Sequence, residues 1–106
     1  MIIYNITTNV DDSVHEQWLD WMQHEHIPEV IATGKFSKAR LVKVLIEEDM
    51  GGTTYSVQYH IESKIKLQKY YDEDAERLRA KVAALFGNKV VSFRTELQII
   101  SDHKAV

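Results

Sequence analysis

His24, Glu25 and His26 form the densest run of proton-carrying side chains in this sequence, and Arg94 with Glu96, two residues apart, forms the second. Two histidines in a short run suggest metal ligation. Residues two apart on a regular helix, however, point roughly 200° away from one another, so His24 and His26 cannot both reach one ion. His26 alone has a clearer chemistry. Pro28 disfavours helical geometry at Ile27 and predicts a break or kink near His26, next to a new helical N-terminus whose dipole favours the neutral, base-competent imidazole. Two readings of His26 stand together: a general base, and a capping or partly buried structural histidine. Arg94 can hold a carboxylate or enolate bidentately, with His60 or Glu96 relaying protons. It can equally form an ion pair inside a polar dimer interface.

The elements that must position these groups follow from periodicity. Met1 to Val10 reads as a strand with Ile2, Tyr4, Ile6 and Val10 on one face and Asn5, Thr7 and Asn9 on the other. Asp11, Asp12 and Ser13 supply helix-capping oxygens, and Val14, Trp18, Met22 and Trp21 make the apolar stripe of a first helix closed by Gly34. Phe36 to Ile46 and Thr53 to Ile61 form a hairpin through an acidic turn ending in Gly51 and Gly52. Ser63 caps a second helix with the stripe Leu67, Tyr71, Leu78, Val82, Leu85 and Phe86. The mid-helix cluster Asp72, Glu73 and Asp74 reads first as a solvated face, and otherwise as a second cap or kink. A fourth strand runs from Lys89 to Ile100, and residues 101–106 read as a frayed tail.

The order βαββαβ is the ferredoxin-like arrangement, an α+β domain spanning residues 1–106 with two helices on one face of a four-stranded antiparallel sheet. Alternation predicts Tyr55, Val57, Tyr59, Phe93, Leu97 and Ile99 beneath the helices. It leaves Asn5, Thr7, Ser56, Gln58, His60, Arg94 and Glu96 on the open face, joined by Lys38, Arg40, Val42 and Val44 of the second strand. Asn5 and Gln58 are therefore expected to bind ligand beside Arg94. The Trp18–Trp21 and Tyr70–Tyr71 aromatics read as core.

Composition removes several classes. The chain has 106 residues, 44% apolar and 27% charged, with a formal net charge of −3, which argues against a nucleic-acid or anionic-membrane partner. RNA-binding modules of this topology carry aromatics on the open face, where Ser56, Gln58 and His60 are expected here. The absence of cysteine rules out disulfides, thiolate nucleophiles and cysteine-based zinc sites. No nucleophile elbow, phosphate-cradling loop or dinucleotide fingerprint is present, so no cofactor is expected. No signal peptide or membrane-length apolar run is evident, and a cytoplasmic location is the expectation.

The run Trp18, Trp21, Met22, His26, Ile27, Pro28, Val30, Thr33, Gly34 and Phe36 resembles an uncharacterised bacterial family filed as a domain of unknown function. Tyr55 to Tyr59, the Leu78–Arg79 pair, and Phe93, Arg94 and Thr95 extend that resemblance over nearly the whole chain. The family is in turn distantly similar to the dimeric α/β barrels, including EthD-like proteins, antibiotic-biosynthesis-type monooxygenases and muconolactone-isomerase-like enzymes. In those relatives two sheets pack open face to open face around a cavity. The resemblance implies this fold and a homodimer, and brings no established activity.

Three function classes follow. One is a cofactor-independent enzyme on a small polar or aromatic molecule, with His26 as base, Arg94 as anion anchor and His60 or Glu96 as relay. The second is a non-catalytic ligand-binding or regulatory module, and the third a structural dimer. Any site is expected between the first helix near His26 and the open sheet face, with Arg94 in reach.

Overall fold

A computed structural model describes residues 1–46 and 51–106. The acidic turn expected between the second and third strands falls on residues 47–50 and lies outside the described residues. The strands are β1 (Ile2–Val10), β2 (Phe36–Lys43), β3 (Thr53–Ile61) and β4 (Val90–Gln98), and they form one antiparallel sheet in the order β2-β3-β1-β4. With the two helical crossovers this is the ferredoxin-like fold. Among the described residues no helix is long and apolar enough to cross a membrane.

Both helices contain a π-turn. After a 3₁₀ turn (Asp12–Val14) capped by the Asp11 carboxylate, the first helix runs through His15–Trp21, a π-turn at Met22–His26, and Ile27–Ala32. The break or kink expected near His26 is a widened turn ending at that residue within a continuous helix, in which the Ile27 N–H donates to the Met22 carbonyl. Proline lacks an N–H and its ring crowds the carbonyl four residues back, and a widened turn relieves both problems. The π-turn also explains the burial pattern. Trp18, Met22, His26 and Val30 are all buried and each lies four residues from the next. On a regular α-helix that spacing drifts about 40° per step, about 120° over the set. One extra residue in the middle brings all four back onto the core face. Gly34, at φ +79°, ends the helix, its N–H donating to the Ile31 carbonyl.

The second helix repeats the device: Lys64–Tyr70, a π-turn at Tyr71–Ala75, then Glu76–Phe86. Ser63 caps it, its hydroxyl accepting from the Lys66 N–H. The buried set is Leu67, Tyr70, Ala75, Leu78 and Phe86, with Val82 half-buried. The step from Tyr70 to Ala75 is one residue too long for an α-helical turn and crosses the π-turn. Tyr70, not Tyr71, is consequently the inward tyrosine, and Leu85 is exposed. Within the expected solvated acidic cluster, Asp74 instead pairs with Lys35 and Arg77 and ties the turn to the loop before β2.

β1 and β3 keep the expected alternation, with Tyr4, Val10, Tyr55, Val57, Tyr59 and Ile61 buried under the helices. β2 likewise sends Lys38, Arg40 and Val42 to the open side, opposite His60, Gln58 and Ser56. β4 is the correction. Directly paired strand residues project to the same face, and β1 pairs Tyr4 with Glu96, Ile6 with Arg94 and Thr8 with Ser92. Arg94 and Glu96 thus stand on the helix side, while Val91 (67% exposed), Phe93 (63%) and Leu97 (42%) stand on the open face. Ile99, just beyond the strand, is half-buried. An edge strand has only one neighbour to satisfy, and its apolar side need not face the core of its own chain.

Candidate functional site

A cavity of ≈ 50 Å³ lies between the helices and the sheet. Its floor is Tyr4, Ile6 and Thr8 of β1 with Val57 and Tyr59 of β3, and Ser92 and Arg94 of β4 form one wall. The roof is Trp18, Met22, His26 and Val30 from the first helix, met by Tyr70, Leu78 and Arg79 from the second. The lining is mostly aromatic and aliphatic with a few polar groups, the composition of a small-molecule site, but the volume is water-scale, and without side-chain movement it admits a guest of only a few atoms.

His26 is 7% exposed, and its ring stacks on Trp21 with centroids 4.6 Å apart. Its Nδ1 is buried with no hydrogen-bond partner among the described residues. Burial pushes its pKa down to about 4, with Lys81 adding to the effect and Glu29 opposing it. The ring is therefore neutral at physiological pH, a hydrogen-bonding partner and a weak base unless a neighbouring anion offsets the cost of charging it. Desolvation, not the dipole of a new helix, is what keeps it so. The other buried, unpartnered side-chain atom among the described residues is Tyr59 Oη, on the same cavity's floor, and burial raises its pKa. Leaving a buried polar atom unpaired costs about 1–3 kcal/mol. Two on one small cavity mark a place where something polar can bind.

Tyr4, 1% exposed, holds a different position. Its Oη accepts hydrogen bonds from Arg79 Nη2 at 2.9 Å and Arg94 Nε at 3.0 Å, so two cations from different elements converge on one phenol oxygen. Arg79 also lies 5.8 Å from the Tyr71 ring centroid. Sequence reasoning assigned Tyr4 to the core and gave Arg79 no site role. The available signal was the position of Arg79 on the shoulder of the buried stripe, between Leu78 and Val82.

The remaining expected site residues are not brought together. Glu96 stands on the helix side but does not line the cavity; it accepts from Tyr71 Oη at 2.8 Å and pairs with Lys64 at 3.2 Å, contacts that lower its pKa. His60, Gln58 and Asn5 lie on the opposite face of the sheet, so none can share a ligand with His26 within one chain. Asn5 Oδ1 accepts from the Ser56 hydroxyl at 2.7 Å. His60 has its pKa lowered, first by desolvation and then by Lys38 and Arg40. The expected site between the first helix and the open face is therefore corrected: His26 and Arg94 do line one cavity, but on the covered face. His24, exposed, bonds the Asp20 carbonyl and points away from His26.

Several solved structures share this architecture. A dimeric ferredoxin-like protein from an uncultured marine organism superposes with a TM-score of 0.68 at 12% identity, covering 96% of this chain and 97% of its own. An EthD family protein from Bacillus halodurans gives 0.67 at 10% identity, covering 90% and 97%. A MhuD variant with two manganese protoporphyrin IX molecules bound per active site gives 0.68 at 14% identity, covering 99% and 100%. At these identities the likeness shows the fold. No curated protein matches the sequence. The sequence itself matches a family profile over residues 1–100, nearly its whole length, and the chain belongs to that family, Domain of unknown function (DUF4286).

Proposed function

We propose that this protein binds a small molecule with an anionic group and an apolar body in the cavity between helices and sheet, with Arg94 as the anion anchor and His26 as a neutral base. One observation carries the reading: His26, buried with an unpartnered Nδ1, and Arg94 line the same cavity. The imidazole is kept neutral by burial, and the guanidinium, permanently charged, sits at the polar wall. A cofactor-independent proton transfer is the activity such a pair supports. A related fold that holds two manganese protoporphyrin IX molecules per active site is consistent with a ligand-binding role for the architecture.

The same reading includes a homodimer. Val91, Phe93 and Leu97 are exposed on the open face beside the polar Asn5, Ser56 and Gln58, and a two-fold axis would cover that surface on both chains. A dimeric ferredoxin-like protein of the same fold supports self-association.

Benzoate, an aromatic anion, is the probe. It should raise the melting temperature of the parent protein, and His26→Ala and Arg94→Ala should each weaken its binding by about tenfold or more. Variants that fold and bind benzoate as well as the parent would overturn the cavity reading in favour of a purely structural dimer.

A further inference from the structure

We propose that Arg79, Tyr4 and Arg94 form a clamp for a single-oxygen anion, so that the ligand class of the cavity is a phenolate or enolate; this rests on the cavity being a ligand site, as proposed above. Both guanidiniums are already aimed at one point, the Tyr4 oxygen, at 2.9 and 3.0 Å. A phenol oxygen offers two lone pairs and one O–H. Two charge-assisted bonds occupy the lone pairs, and among the described residues no acceptor takes the Tyr4 proton. Tyr4 lines the cavity, and its O–H, the unused hydrogen-bonding element of the phenol, is the donor assigned to a ligand there. A ligand oxygen receiving it sits beside two cations, and negative charge on that oxygen is stabilised by all three groups.

The geometry favours one oxygen over a carboxylate. Arg94 reaches Tyr4 through Nε and Arg79 through Nη2, so both cations converge on one atom, and the donor held between them, the Tyr4 O–H, serves a single ligand oxygen. The remainder of the lining is aromatic at Trp18, Tyr59 and Tyr70, and since a benzene-sized guest needs about 150 Å³, a ring enters only as these side chains move apart; His26 Nδ1 is a neutral partner for a second polar atom of the ligand. The clamp spans β1, β4 and the second helix, so binding there also joins the uncovered edge strand to the helical layer.

The test uses 4-nitrophenol, whose phenolate alone absorbs strongly in the visible, at a pH where the free probe is mostly neutral. Binding to the parent protein should increase the phenolate band. Arg79→Gln and Arg94→Gln should each reduce the increase at least about fivefold, and Tyr4→Phe, close to isosteric and so expected to keep the fold, should weaken binding by about tenfold. Circular dichroism of each variant verifies folding. If the probe binds in its neutral form, or if Tyr4→Phe and Arg79→Gln bind the phenolate like the parent, the clamp is wrong while the cavity reading stands. If benzoate binds and 4-nitrophenol does not, the site prefers carboxylates and the single-oxygen assignment falls. If neither probe binds, both readings fall.

Discussion

His26 shows how one residue's environment sets both its chemistry and its cost. Its pKa moves from about 6.5 to about 4 because the charged ring would lose hydration on burial. The unfolded chain then takes up a proton as pH falls through about 6.5, while the native protein does not do so until about 4. Stability is therefore fully present above about 6.5, is lost as pH falls between these values, and levels off below. The loss corresponds to about 3 kcal/mol for this residue. Urea denaturation across that window should show a slope in the parent that His26→Leu lacks, and parallel curves would contradict it. Tyr59→Phe is expected to go the other way from most core substitutions. Removing a buried, unpartnered hydroxyl should leave stability unchanged or raise it by about 1 kcal/mol, as measured by denaturant midpoint.

Among the elements, the two π-turns set the phase of the helices. Each inserts one residue into a helix, and each keeps the apolar positions on either side in phase with the sheet. In the second helix this gives an unusual expectation about deletions. Removing the exposed Asp72 shortens the Tyr70-to-Ala75 step to one that an α-helix can span, so Leu67 and Leu78 stay on the core face and the variant should lose no more than about 1 kcal/mol. Removing the exposed Ala80 from the regular segment turns Val82 and Phe86 by about 100° away from the core and should cost several times more. Equal losses in chemical denaturation would show that the π-turn does not set the register of the second helix.

For the whole molecule, β4 decides where the surfaces go. Its apolar residues face away from the helices, so the open face of the sheet is more apolar, and the covered face more polar at its edge, than alternation by itself implies. The proposed dimer follows from the first consequence and the cavity's charged wall from the second. Light scattering should report about twice 12.3 kDa for the parent and a single 12.3 kDa chain for the double variant Phe93→Glu, Leu97→Glu, because a charge buried without a partner at an interface is strongly unfavourable. A parent monomer, or a dimer that survives both substitutions, would remove the open face as the interface.

The βαββαβ order, the faces of β1 and β3, the Ser63 and Asp11 caps and the Gly34 terminator were all legible in the sequence, because each depends on local periodicity or on a single residue's stereochemistry. The prominence of His26 and Arg94 was legible too, since charged or imidazole groups beside apolar runs stand out by type. Three things needed the tertiary structure. Alternation in β4 divides its residues into two sets but carries no sign, and only pairing with β1 determines which set lies under the helices. The phase of each helix depends on where an extra residue is absorbed, which the four-residue spacing of Trp18, Met22, His26 and Val30 hints at but does not locate. The convergence of Arg79 and Arg94 on Tyr4 joins residues 75 and 90 positions apart, a separation that no local pattern can register.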